Sequence, residues 1–113
     1  MGDDMSDGKL WTQQDRFGSE IYLTRERWAH IIAADNHPEV APYLDYVAET
    51  IRLGRRRQDP YDSNGYQYYR SFPDLPDENT HLVVCVRFRW QIADGVVQEN
   101  KFVTTAYFQF LNR

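Results

Sequence analysis

The stretch LTRERWAHI, Leu23 to Ile31, gathers a histidine, two arginines and a tryptophan within what should be the first turns of a helix. His30 has an imidazole that gains or loses a proton near neutral pH, so it can serve as a general acid or base. Arg27, three positions earlier, falls on the same flank of such a helix. Trp28, Ile31 and Ile32 make the apolar stripe. His30 lies off that stripe, so packing does not account for it. It is either a functional group or a surface residue one turn from Glu26.

The remaining reactive side chains are sparse. His37 precedes Pro38 and reads as the start of a second helix, while His81 opens a strand. Three histidines at 30, 37 and 81 have no metal-ligand spacing. The single cysteine, Cys85, excludes an intramolecular disulfide and a cysteine-based zinc site. Its setting, LVVCVRF, suits a small buried hydrophobe better than a nucleophile. Cations concentrate at Arg55-Arg56-Arg57, a run that can contact phosphates or simply protect a sheet edge.

Bulk composition bounds the rest. With 113 residues, 42% of them hydrophobic, the chain is sized for one domain with one core. A net charge of −4 argues against a surface coated for duplex nucleic acid. Eight tyrosines supply rings with polar tips, suited to core edges and binding surfaces. Residues 1–15 hold four Asp and few core formers, and read as a disordered acidic tail before a single domain at 16–113. No apolar leader or membrane-length segment is apparent, so a cytoplasmic, non-membrane protein is expected.

Those residues must be positioned by a short series of elements. GSEIYLT predicts a strand, and Thr24 an N-cap for a helix running to about Asp35. Pro38 and Glu39 suit the start of a second helix, whose stripe is Val40, Leu44, Val47 and Ile51, ending at Gly54. Strands follow near Arg55–Gln58, Tyr66–Phe72, His81–Ile92 and Lys101–Phe110. The order β-α-α-β-β-β-β predicts an α+β fold: two N-terminal helices packed on one face of an antiparallel sheet of about four strands.

Alternation divides the sheet faces. Leu82, Val84, Val86, Phe88, Trp90 and Ile92 should lie under the helices, matched in the last strand by Phe102, Ala106, Phe108 and Phe110. For Phe88 and Phe102 to share a face, the Asp94-Gly95 connection must be a three- or five-residue loop, or a bulge must intervene. The uncovered face would then carry Arg87, Arg89, Lys101, Thr105 and Tyr107, joined by either Tyr66, Tyr68 and Arg70 or Tyr69. Such a cationic, tyrosine-rich surface can meet phosphates and stack bases.

The run IYLTRERWAHIIAADNHPEVAPYLDYVAETI, with YQYYR and the closing FVTTAYF, resembles a group of small prophage-linked domains. That group is placed in the barnase/EndoU/colicin/RelE-like nuclease superfamily, and the likeness spans roughly residues 19 to 110. The resemblance implies metal-independent cutting of RNA, without a cofactor, by attack of a ribose 2′-OH on the adjacent phosphate. The partners it implies are transfer RNA or ribosome-bound message, and an immunity protein or antitoxin if the domain is a toxin. Such chemistry needs a base, cationic donors for the phosphorane and an acid for the leaving oxygen. On the matching positions His30 is the acid–base candidate, with Arg27 and Arg70 on phosphate and Thr105 and Tyr107 orienting the substrate. Arg55, Arg56, Arg87 and Tyr69 are the nucleic-acid-binding candidates. The competing expectation is a non-catalytic RNA- or protein-binding module.

Overall fold

The computed structural model describes residues 8–111. Six strands form one mixed sheet: β1 (Lys9–Gln14), β2 (Glu20–Thr24), β3 (Arg55–Gln58), β4 (Gly65–Ser71), β5 (His81–Ala93) and β6 (Val96–Gln109), in spatial order β1-β2-β6-β5-β4-β3. Two short helices, α1 (Arg25–Ile31) and α2 (Leu44–Leu53), are joined through a 3-10 segment, Pro38–Tyr43. This overturns the expected four-stranded antiparallel sheet carrying two N-terminal helices. The order opens with two strands, and β2 joins β6 in parallel, with Tyr22 opposite Phe102.

The extra strand comes from the segment expected to be a tail. Lys9–Gln14 pairs antiparallel with β2, and Leu10 and Trp11 pack against the core. The acidic composition of residues 1–15 hid this, because Leu10 and Trp11 are few but large. The rest of that expectation, residues 1–7, lies outside the described residues.

Local signals explain the helices and their brevity. Thr24 is extended and its Oγ1 accepts from the Arg27 N–H at 3.0 Å, capping α1. The helix stops at Ile31, short of the expected Asp35. Pro38 starts the next segment as a 3-10 turn, and Pro42, which lacks an N–H, delays regular α-helix until Leu44. Val40, Val47 and Ile51 are fully buried, as their spacing predicts. Gly54 ends α2 where a Cβ would lie 2.4 Å from the Thr50 carbonyl oxygen and 2.8 Å from that of Tyr69. Close approach, rather than a left-handed backbone, requires glycine there.

The β5–β6 hairpin has a two-residue turn, Asp94-Gly95, with φ of 54° and 76°. Positive φ at both positions matches the twist of the flanking strands. Register is corrected further along, by a bulge that places Cys85 opposite Thr105 and Val86 opposite Val103, with Thr104 as the extra residue. Beyond it the faces of β6 exchange. Val103 is buried under the helices, and Phe102 and Thr105 turn to the other side. Lys101, expected on the uncovered face, lies instead on the helix side, 4.9 Å over the Phe88 ring. Trp90 and Ile92 keep the expected parity but run past the helices and are 52% and 76% exposed. Phe110 lies past the end of β6 and is exposed.

The sheet curls around α2. The β1–β2 connection lies at one end of the strand order and β3 at the other, yet Asp15 meets Arg56 and Tyr68, and Arg16 reaches the α2 terminus. Tyr68, Leu82, Val84, Val86, Val103 and Ala106 line the concave, helix-covered side together with Ile21, Leu23 and Ile31.

Candidate nucleic-acid interface

Pairing register assigns each candidate residue to a side. Tyr69 opposes Val83 and Arg55 opposes Tyr69, while Gln67 opposes both Cys85 and Arg57. Tyr107 opposes Val83, Thr105 opposes Cys85, and Phe102 opposes Arg87. Arg55, Arg57, Gln67, Tyr69, Cys85, Arg87, Arg89, Phe102, Thr105 and Tyr107 therefore share the helix-free face, and Tyr22 extends it, its ring 5.9 Å from that of Phe102. Tyr66, Tyr68 and Arg70 take the opposite face, so Tyr69 is the tyrosine of YQYYR that joins the open surface, beside Gln67.

Two of the four arginines on this face lie over rings. Arg57 sits 5.2 Å over Tyr69 and donates through Nε to the Gln67 side chain at 2.8 Å. Arg89 lies 5.7 Å over Phe102. Flat guanidinium on a ring shields apolar area and still leaves N–H donors free. Arg87 is partly neutralised by Asp62, 3.0 Å from its Nε. The Asp62 carboxyl is held below the usual range chiefly by the Asn64 backbone N–H and then by Arg87.

At the centre of the face Cys85 is half-buried, and desolvation pushes its thiol up to about 11, with Asp59 adding to the effect. Burial also raises the Tyr107 phenol, so both groups are neutral near pH 7. A neutral thiol is a poor nucleophile, consistent with the expectation drawn from its sequence setting. Beside Tyr107 stands His37, the two rings 5.9 Å apart. Its Nδ1 is 3.4 Å from Glu39, and its side chain makes no cap hydrogen bond to the 3-10 segment.

The five expected catalytic residues do not form one group. Thr105 and Tyr107 are on the open face. Arg27 lines a groove of about 270 Å³ with Tyr22, Arg89, Asn100 and Phe102, at the Arg89 end of that face. His30 is exposed and lines an adjoining groove with Thr24, Glu26 and Arg27. Arg70 is on the other side of the sheet, its Nε 3.0 Å from Glu49 on α2. Among the nucleic-acid candidates Arg55, Arg87 and Tyr69 are on the open face, and Arg56 is not. Its guanidinium packs 4.3 Å from Phe17 and 4.5 Å from Tyr66, next to Asp15.

Sequence reasoning missed Gln67, named Arg57 only within the Arg55–Arg57 run, and read His37 only as the start of the second helix. Arg57 and Gln67 were legible once Tyr69 was assigned to the open face, since alternation carries them with it. His37 was not, because its approach to Tyr107 depends on the irregular chain between α1 and Pro38. Among the described residues no three of His, Cys, Asp and Glu are grouped as a cation site requires, and no helix is long and apolar enough to cross a membrane. Comparisons with protein-family models, with curated proteins and with solved structures gave no match to this chain.

Proposed function

We propose that the helix-free sheet face binds single-stranded RNA. One observation carries the reading: the strand register sets Arg55, Arg57, Arg87 and Arg89 among Tyr22, Tyr69, Phe102 and Tyr107 on a single surface. Guanidinium groups follow a phosphate backbone while rings stack unpaired bases, each stacked base contributing about 1–3 kcal/mol. The overall charge of −4 disfavours a long duplex, which needs charge neutralisation over many phosphates. A short single strand needs only the local cations.

RNA cleavage at this face is a second reading, favoured by the placement of His37 against Tyr107. An imidazole there would take the proton of a 2′-OH as its oxygen attacks phosphorus, Arg57 would stabilise charge on the phosphorane, and the neutral Tyr107 phenol would protonate the 5′-oxygen as its bond to phosphorus breaks. His30 and Arg27 offer a second imidazole–guanidinium pair at the Arg89 end. An immunity protein or antitoxin would then cover this same surface.

The test is fluorescence anisotropy of a labelled single-stranded decanucleotide in EDTA, at about 50 and about 200 mM salt. Binding that weakens with salt, and further in Arg57→Ala and Arg89→Ala, is expected. Absence of any anisotropy change at about 100 µM protein, the weak end of non-specific affinity, would sink the reading. Products with 2′,3′-cyclic ends that vanish in His37→Ala would establish cleavage; intact RNA throughout leaves a binding module.

A further inference from the structure

A second polar cleft lies around the sheet edge from that face. It has a volume of about 490 Å³ and is lined by Arg16, Arg55, Arg70, Tyr69, Ser71 and His81, together with Leu53 and Gly54 at the end of α2. β3 begins only at Arg55, so past that residue the outer edge of β4 has no pairing strand and the cleft opens beside Arg70 and Ser71. The curl of the sheet brings Arg16 in from the β1–β2 connection. Three arginines from three separate segments therefore line one space.

Packing accounts for part of this charge. Arg16 donates through one nitrogen to the Leu53 carbonyl at 3.2 Å, a cation placed at a helix C-terminus. Arg70 is held by Glu49. The helix end supplies roughly −0.5 charge and Glu49 supplies −1, against +3 from the arginines. About +1.5 remains. Arg55 is exposed and has no ion-pair partner among the described residues.

That residual charge matches a phosphomonoester, which carries about −1.5 to −2 at pH 7, better than the single charge of a phosphodiester. Planar guanidinium forks suit the phosphate oxygens. Ser71 and the rings of Tyr69 and His81 complete the wall, and the volume is that of a small-ligand site. Tyr69 and Arg55 also belong to the open face, so the two surfaces are continuous.

We infer that the Arg16–Arg55–Arg70 cleft receives the terminal phosphate and last nucleotide of the strand that the open face holds. The inference rests on the RNA reading for its ligand and adds end recognition to it. The chemistry is the same for a 5′- or a 3′-phosphate, so the experiment separates them.

Hexanucleotides of one sequence, bearing a 5′-phosphate, a 3′-phosphate or hydroxyl at both ends, would be compared for affinity to the full chain. One phosphorylated form should bind about tenfold more tightly than the hydroxyl form. Arg16→Gln should remove that difference and leave hydroxyl-ended binding in place, Arg55→Ala should remove it and also weaken hydroxyl-ended binding, and Arg89→Ala should weaken all three alike. Equal affinity for the three oligonucleotides overturns the inference while the open-face reading stands. If none binds, the open-face reading fails, and the cleft is tested alone by titrating adenosine 5′-monophosphate, inorganic phosphate and adenosine while following the His81 ring by NMR. A shift with the nucleotide that exceeds that with phosphate supports the cleft. No shift, or equal shifts with phosphate, overturns it.

Discussion

Asp15 and Tyr68, 53 positions apart in the chain, are hydrogen-bonded in the interior, the phenol donating to the Asp15 carboxylate. Asp15 also accepts from the backbone N–H of Phe17 at 2.9 Å and of Ser19 at 2.7 Å, and Arg56 approaches the same oxygen that Tyr68 uses, at 3.5 Å. The side chain is fully buried. One carboxylate thus closes the β1–β2 connection onto β3 and β4 and holds the curl of the sheet. Asp15→Ala strands a phenol, a guanidinium and two backbone donors, and should cost about 3 kcal/mol, read as a lowered midpoint in denaturant melts. Tyr68→Phe removes two bonds, the one donated to Asp15 and a longer one accepted from Arg56 at 3.3 Å, but keeps the ring, so about 1–2 kcal/mol is expected. Equal losses for the two variants would show that Asp15 is not the hub.

The same pair sets a limit at alkaline pH. Burial first, and then the bond to Asp15, raise the Tyr68 phenol above its ordinary value of 10.0. A group whose folded pKa lies above the unfolded one stabilises fully below the unfolded value and stops doing so as pH rises through the folded value. Stability should therefore hold to about pH 10 and fall above it, because only the unfolded chain ionises this phenol readily. Tyrosinate absorbance should show one tyrosine that titrates only as the fold is lost. Tyr68→Phe should remove that component and flatten the decline.

Thr104 is the residue that lets β6 satisfy both halves of its pairing. A Thr104 deletion would remove the bulge, so residues on one side of it would flip faces. Val103, 1% exposed, would have to exchange with Phe102. The deletion should leave little cooperative unfolding by circular dichroism, while Thr104→Ala, which keeps the extra residue, should cost under about 1 kcal/mol. Alternation along β5 showed which of its faces is buried, and the mismatch between Phe88 and Phe102 showed that β6 needs an irregularity. Where it falls was not legible. An ideal Asp-Gly turn fixes the hairpin end, so the slip moves to wherever the core needs Val103 inward. The sheet curl was hidden for a related reason: Asp15, Arg16 and Arg56 come together only through the tertiary path of α2. Site residues tied to strand parity, such as Arg87, Thr105 and Tyr107, were readable. Arg70 and Arg56 fall on the helix-covered face because Tyr68 between Gln67 and Tyr69 takes the core position.

Two glycines should respond differently to alanine. Gly95 has φ of 76° with open space around its added Cβ, so Gly95→Ala meets only left-handed backbone strain, about 1 kcal/mol. Gly54→Ala would press a methyl against the carbonyl oxygens of Thr50 and Tyr69, neither of which can move without shifting α2 or β4. Its cost should be at least twice that of Gly95→Ala in chemical denaturation. A milder effect at Gly54 would mean that α2 and β4 separate easily.

Cys85 reports on the open face. With its thiol pushed up to about 11 from 9.0, mainly by burial, the thiolate fraction at pH 8 falls about 100-fold relative to an unperturbed thiol. Iodoacetamide should label it correspondingly slowly in the folded protein and quickly in urea. The neighbours act in opposite directions. Asp59 raises the thiol, so Asp59→Asn should speed labelling, whereas Arg57 and the Tyr107 hydroxyl favour the thiolate, so Arg57→Ala and Tyr107→Phe should slow it. Single-stranded RNA seated on the face would cover Cys85 and slow labelling further, in proportion to occupancy. Labelling that tracks the variants but ignores saturating RNA would place the nucleic acid elsewhere on the protein.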